Sequence, residues 1–287
     1  MIRRSLVALS LVVAASAPAQ AAPALWKVSD ADTTIYLFGS VHALPAETTW
    51  FEGAVHEAFD KSDTLVLEMV APKNESELAP TLMSLGFSEG QPPLAERVTP
   101  AERPRLATVV REAGLPAAAL NAMETWLATM TLSMQQLKNF GLDPKLGVET
   151  VLTTKAQAGR KRIVGLETPA EQMGFFDKLP ETDQRAFLSA TLKQWSDMKA
   201  KMRGLVAQWT AGDVDAIGQE MNESMRETPR LSKVLLADRN ARWAGWIKSR
   251  LAQPGTVFVA VGAGHLAGDE SVQAMLARQG VRAVPAS

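Results

Sequence analysis

Two of the three histidines in this chain stand in the same local setting. His42 closes Gly39-Ser40-Val41-His42 and His265 closes Gly262-Ala263-Gly264-His265, each directly after an apolar run of strand character. At a glycine frequency of about 7%, two of three histidines with glycine three residues earlier is an accident on the order of one in a hundred. Glycine has a use there. A chain leaving a strand must turn sharply to aim an imidazole back over the sheet edge, through a positive φ or a close approach that a Cβ would hinder. Two glutamates sit comparably, Glu68 after Leu65-Val66-Leu67 and Glu167 after Val164-Gly165-Leu166. Two neutral imidazoles and one carboxylate, His42, His265 and Glu68, make a three-ligand site with open positions, which suits a catalytic divalent metal better than a structural one. Such a metal acidifies a bound water, and Glu167 is then available as base or as an additional ligand.

Plainer readings compete at each position. A single core imidazole is ordinarily satisfied by a backbone carbonyl. Glu68 could end its strand in solvent, although burying it without a partner would be costly. Glu167 could simply flank a helix that begins at Thr168-Pro169. Arg239 and Arg242, three apart in Asp238-Arg239-Asn240-Ala241-Arg242-Trp243, share a helix face, while Trp243 and Trp246 mark an apolar one. On pattern alone the arginine face is solvated; the alternative is an arginine that reaches the site to hold a substrate carboxylate or an oxyanion. His56 falls opposite the apolar face of its helix and is assigned to the surface, and His56-Glu57 has no second histidine to complete a zinc helix. Gly262–Gly268 has the wrong spacing for a dinucleotide loop. Met123, Met130, Met134, Met198 and Met202 read as core filling of helical segments.

These residues need a sheet to gather them. Thr34–Phe38, Thr64–Met69, Arg162–Leu166, Thr256–Val261 and Val281–Val284 read as strands, with Ala24–Val28 as hairpin partner of the first through Ser29–Asp32. Phe51–Lys61, residues 169–251 and Asp269–Arg278 carry helical spacing, broken near Gly212 and Pro229, and residues 72–158 are helical between proline breaks. Strands separated by helices predict an α/β fold: a central mixed, largely parallel sheet flanked by helices, with a large helical insertion at about 72–158 in one compact unit. In such sheets ligands collect outside the carboxyl ends of the strands. If the strands are parallel neighbours, two imidazoles and two carboxylates meet at one edge.

Composition narrows the chemistry. The chain has 287 residues, 30 Lys and Arg against 31 Asp and Glu, and no cysteine. Balanced charge argues against a nucleic-acid binder, and Gly159-Arg160-Lys161-Arg162 is too short a basic cluster to change that. Without thiols there is no disulfide scaffold, no cysteine nucleophile and no thiolate metal site. Met1–Ala21, with Arg3 and Arg4, an apolar run from Leu6 and Ala19-Gln20-Ala21, reads as a cleavable secretory signal, leaving residues 22–287 as the mature domain. Its apolar run of about ten residues is short of the roughly 20 that span a bilayer, so no stable membrane anchor is expected after cleavage. The expected location is periplasmic or secreted.

Leu25–His42, Leu65–Met69, Gly141–Glu149 (GLDPKLGVE), Gly165–Gln172, Asp238–Trp243 and Val261–Val272 together resemble the TraB/GumN family, which includes the Tiki-type metalloproteases. Paired G-x-x-H motifs with a glutamate between them and an arginine in an R-N segment are that family's hallmark. Glu149 stands where the family pattern leads one to expect aspartate. The resemblance implies a divalent-metal-dependent hydrolase cleaving peptides, with His42 and His265 as the motif histidines, Glu68 at the acidic position and Arg239 as the arginine. On this reading Mn²⁺, Co²⁺ or Zn²⁺ sits at His42, His265 and Glu68, and Arg239 stabilises the developing oxyanion. Similar strand-end sites in erythromycin-esterase-like proteins keep open a metal-independent version, in which His42 activates water and Glu68 orients it. A third reading is a non-catalytic periplasmic protein that binds or sequesters a peptide. The substrate is left as a peptide or small molecule, and the oligomeric state is open.

Overall fold

The computed structural model describes residues 22–72 and 74–286; the secretory signal expected at Met1–Ala21 lies outside the described residues. Six strands, β1 (Leu25–Ser29), β2 (Thr33–Ser40), β3 (Thr64–Met69), β4 (Arg162–Glu167), β5 (Gly255–Gly262) and β6 (Val284–Pro285), form one sheet in the order β4-β3-β5-β2-β1-β6. The four strands from β4 to β2 run parallel, and β1 and β6 add an antiparallel edge. Helices cover both faces, so the fold is α/β with a mixed, mostly parallel sheet.

The strand sequences alternate between the two faces with period two. Phe38, Leu65, Leu67, Phe258 and Ala260 point to one face, where they pack with Trp50, Val55 and Phe59 and with the helix Val148–Ala158. Ile35, Leu37, Val66, Val257, Val259 and Val261 point to the other, against Trp243, Ala244 and Ile247 of the helix Asp238–Arg250 and against Val272 and Leu276. A third cluster holds the helical body together through Leu94, Leu106, Val109, Leu132, Leu188 and Trp195. It thus joins segments from both sides of β4. Val148–Ala158, by contrast, packs on the sheet, because its Val148, Leu152 and Ala156 stripe faces β3 and β4.

The expected elements shift at their ends. The last strand is Val284–Pro285 rather than Val281–Val284, and it lies on β1 at the sheet's edge. The final helix begins at Val272, where the Ser271 side chain accepts from the Ala274 N–H as a cap. Of the five methionines read as core filling, Met123 and Met198 are half-buried against the third cluster, whereas Met130 and Met202 are half-buried elsewhere and Met134 is 40% exposed.

Phe38 anchors the face beneath the site, with its ring 5.6 Å from Trp50, 5.7 Å from Phe258 and 6.0 Å from Trp209. Phe38→Ala should cost about 3–5 kcal/mol of unfolding free energy in urea titration, the usual range for a fully buried phenylalanine. A loss below about 1 kcal/mol would show that the aromatic cluster closes over the gap.

Candidate active site

Parallel register brings four strand exits to one edge. Ser40 of β2 lies beside Gly262 of β5, and Met69 of β3 lies beside Glu167 of β4. The glycines of the two G-x-x-H turns have ordinary negative φ; positive φ is not what they supply. Their use is close approach. A Cβ on Gly39 would lie 3.1 Å from Ala263 Cα in the other turn, and one on Gly262 would lie 3.2 Å from Glu68 Oε1.

The β2 exit is stapled to the segment that precedes the helix Val148–Ala158. Leu44 and Asp143 exchange backbone hydrogen bonds at 3.3 and 3.2 Å, and the Val148 N–H donates to the Val41 carbonyl at 3.0 Å. Gly147 makes that contact feasible, since a Cβ there would lie 2.0 Å from the His42 carbonyl oxygen. The staple brings Glu149 to His42, with Nδ1 to Oε1 at 2.7 Å, and the Ser40 hydroxyl donates to the same oxygen at 2.5 Å. The His42 side chain is 72% exposed, but what it meets is the inside of a cleft. Its Nε2 has no hydrogen-bond partner among the described residues. The Glu149 charge raises the imidazole to about 9 against the opposing effect of burial, and the hydrogen bond between them adds to the rise. Burial in turn works against the Glu149 charge, yet His42 and Ser40 hold its carboxyl below the ordinary range.

Glu68 and Glu167, both 8% exposed, share one guanidinium. Arg239 donates from Nη2 to Glu68 Oε2 at 2.5 Å and to Glu167 Oε2 at 2.8 Å, and from Nε to Glu167 Oε1 at 2.9 Å. Its Nη1 donates to the Leu235 carbonyl and to His265 Nε2, each at 3.1 Å. Every guanidinium N–H is therefore committed. This overturns the solvated-face reading of Arg239: the helix presses Trp243 into the core one turn later, which carries Arg239 inward while Arg242 stays at the rim, 3.3 Å from Glu167. It also leaves Arg239 no free donor for an oxyanion. Burial opposes the Glu68 charge, but the pull of His265, Arg239 and His42 and the Gly262 N–H at 2.7 Å hold the carboxyl at about 2. Since His265 is itself neutral above pH about 3, Arg239 and His42 carry that pull at neutral pH.

His265 shares the motif and has the opposite electrostatics. It is 5% exposed and packs on Trp243, with ring centroids 4.5 Å apart. Asn240 gives its amide N–H to the Glu270 carbonyl at 2.6 Å, so its oxygen faces the ring and accepts from His265 Nδ1, also at 2.6 Å. Nε2 then carries the lone pair. Burial lowers the imidazole to about 3 and outweighs Glu68.

His265 Nε2 lies 3.7 Å from Glu68 Oε1, and His42, Glu68 and Arg239 line one cleft with it. Yet this donor set does not fit a divalent cation as arranged. The His265 lone pair and one Glu68 oxygen point to a guanidinium, and His42 is held as an imidazolium. Among the described residues, no three His, Asp or Glu side chains are placed to hold a metal ion. The metal-independent reading has Glu68 orienting the water that His42 activates; the structure pairs His42 with Glu149 instead, 107 positions along the chain and brought over by the backbone staple. The signal available was Gly141–Glu149 itself, a helix entry with an acidic residue in its first turn. Asn240 and Ser40 were likewise not singled out. His56 is exposed and pairs with Asp60 at 3.0 Å.

The TraB/PrgY/gumN family model matches residues 24–285 of the chain. A protein of Escherichia coli described as uncharacterized protein YbaP is 25% identical over 243 residues, covering 84% of this chain and 87% of its own. An uncharacterized protein of Treponema pallidum is 23% identical over 261 residues, covering 86% of this chain and 78% of its own. No solved structure matches significantly.

With three histidines in the chain, imidazole NMR separates the roles directly. His42 should titrate near 9 and move down toward the ordinary imidazole value in Glu149→Gln, while His265 stays neutral through pH 5 in both proteins. A His42 midpoint unchanged by Glu149→Gln would contradict the pairing. Arg239→Met should cost about 3–5 kcal/mol, because it strands two buried carboxylates. Adding Glu68→Gln and Glu167→Gln to Arg239→Met should recover much of that loss in thermal denaturation; additive losses would mean the three side chains are not one unit.

Proposed function

The chain belongs to the TraB/PrgY/gumN family, and from that premise we propose that it is an exported hydrolase of acyl bonds, most simply of peptides, in which His42 and Glu149 handle the proton. One observation carries this reading. An imidazole anchored at Nδ1 by a carboxylate presents a free Nε2 into a cleft, and the groups around it are held in fixed protonation states. The location rests on the secretory signal read at Met1–Ala21, and among the described residues no helix is long and apolar enough to cross a membrane.

The other candidate bases are occupied. Glu68 and Glu167 are bound by Arg239, and His265 directs its lone pair at the same guanidinium. His42 in its neutral form is the available base. Nε2 takes a proton from water as the water oxygen bonds to the acyl carbon. Glu149 stabilises the imidazolium so formed. That proton then passes to the leaving nitrogen as the carbon–nitrogen bond breaks, releasing a carboxylic acid and an amine. Arg239 acts here as a positioning residue: it fixes Glu68 and Glu167, and through Glu68 the Gly262 turn that leads to His265. Because the donor set does not fit a divalent cation as arranged, no step is routed through one.

Because the resting ring is protonated at neutral pH, turnover should rise with pH and level off above about 9, the base form being the active one. Glu149→Gln should move that rising limb to lower pH, and His42→Ala should reduce kcat about 10²–10⁴-fold. The rates should survive exhaustive chelation. A requirement for Mn²⁺, Co²⁺ or Zn²⁺, with stoichiometric metal in the purified protein, would replace this mechanism with the metal-dependent one. Tight binding of a peptide that is never cleaved would replace it with the sequestering one.

A further inference from the structure

Two cavities open on the strand exits, one of about 380 Å³ and one of about 330 Å³. His42, Glu68, Leu235 and Arg239 line both, so the reactive side chains form a partition with a chamber on each side. Both volumes fall at the lower end of the range of about 300–1,000 Å³ typical of ligand sites. A larger recess of about 830 Å³ beside Ala22 and Pro285 shares no residue with either.

Away from the partition, neither chamber is lined by an Asp, Glu, Lys or Arg. The first is walled by Trp126, Phe175 and Phe176 with Met69, Met130 and Met173. The second lies among the helices Met198–Thr210 and Val214–Met225 and is walled by Leu137, Leu142 and Leu205 with Met202, Met221 and Met225. Six of the twelve methionines of the chain thus line these two spaces, three in each. Met130 and Met202, expected as core filling, thus border cavities instead, and the flexible thioethers of all six form walls that adapt to varied apolar shapes. A charged group entering either chamber would lose its hydration without finding a partner there.

We propose that the two chambers seat bulky apolar groups on either side of the bond presented to His42, so that the substrate class is a peptide with large uncharged residues flanking the scissile bond. The cleavage rests on the hydrolytic reading above, whereas the seats rest on the chambers alone. A substrate lying across the partition places its polar amide among His42, Glu68 and Arg239 and its two flanking side chains in apolar walls. The methionines make the seats tolerant: size and lack of charge are selected, and the exact side chain is not.

The test uses internally quenched peptides that vary only the two residues flanking the cleaved bond, with the mature wild-type protein. Leucine in place of alanine should raise kcat/KM at least about tenfold at each position, as added buried methylenes do. Leucine, methionine and phenylalanine should fall within a few-fold of one another, and aspartate or lysine should fall below alanine. Met130→Glu should remove the apolar preference on one side only and favour lysine there; Met221→Glu should do the same on the other side only. A fold defect would depress all peptides alike and could not exchange one preference. In parallel, N-acetyl-Leu-Leu-amide is titrated into methyl-labelled protein, and the methionine methyl signals are followed. Shifts at Met130 and Met173 together with Met202 and Met221, without cleavage of any peptide, would overturn the hydrolytic reading and uphold the seats. Cleavage indifferent to the flanking residues, or both glutamate variants acting on the same side, would overturn the seats and leave the hydrolysis standing.

Discussion

Glu68, one residue before the end of β3, and Glu167, the last residue of the neighbouring parallel β4, bring two carboxylates onto one Arg239 nitrogen in the interior of the protein. Each would cost several kcal/mol to bury unpaired, and together they repel. Arg239 is the counter-charge that makes the arrangement tenable, and its planar fork is the reason an arginine serves where a lysine would not: it reaches Glu68, Glu167, His265 and the Leu235 carbonyl at once. Much of the edge is organised around this contact. Glu68, fixed by Arg239, receives the Gly262 N–H and so ties β3 to the turn after β5. Gln172, on the helix that follows β4, donates to Glu68 at 3.1 Å and links the third exit to the same carboxylate.

The two G-x-x-H motifs show how little a motif settles by itself. Both place an imidazole just beyond a strand end, and both use glycine so that the turns can close on their neighbours. Yet one ring is held charged and the other neutral. The difference lies in the charge that meets Nδ1 of His42 and in the burial of His265. His42 meets a carboxylate, which favours the added proton, while His265 meets an amide oxygen within an apolar wall, which supplies an acceptor without a full charge. The same motif therefore yields one imidazole that is protonated at neutral pH and exchanges its proton near 9, and one that is neutral there.

Much of the frame was legible in the residues themselves. The continuous apolar runs in Thr256–Val261 and Leu65–Leu67, with helical spacing between, indicated a sheet covered on both faces, and the strand exits at His42, Glu68, Glu167 and His265 do converge. What was not legible depended on tertiary contact. Nothing in the pattern of Gly141–Glu149 says that its backbone will pair with Leu44 and bring Glu149 to His42. Nothing in Asp238–Trp243 distinguishes an arginine facing water from one turned inward; that follows from Trp243, one turn on, packing against the sheet. Met130 and Met202 misled for a related reason. An apolar residue on a helix is read as core by default, and only the shape between helices shows that it borders a cavity.

A guanidinium and a divalent cation are electrostatic alternatives within the same nest of carboxylates, so family resemblance can carry the positions of His42, Glu68 and His265 without deciding which cation they hold. The packing of Arg239 bears on that choice. Its Cζ lies 4.6 Å from the Trp243 ring and 5.4 Å from that of Phe175, so aromatic rings adjoin the guanidinium as well as acceptors at its edge. Withdrawing it would break those stacking contacts together with its hydrogen bonds to four residues, and would leave two carboxylates for the incoming ion to neutralise alone. Substituting a metal there requires rebuilding the site, whereas His42 can gain or lose its proton with every other contact unchanged. The proton chemistry of the resting structure is therefore concentrated at one imidazole, which is why the reading of this site turns on His42 and the carboxylate behind it.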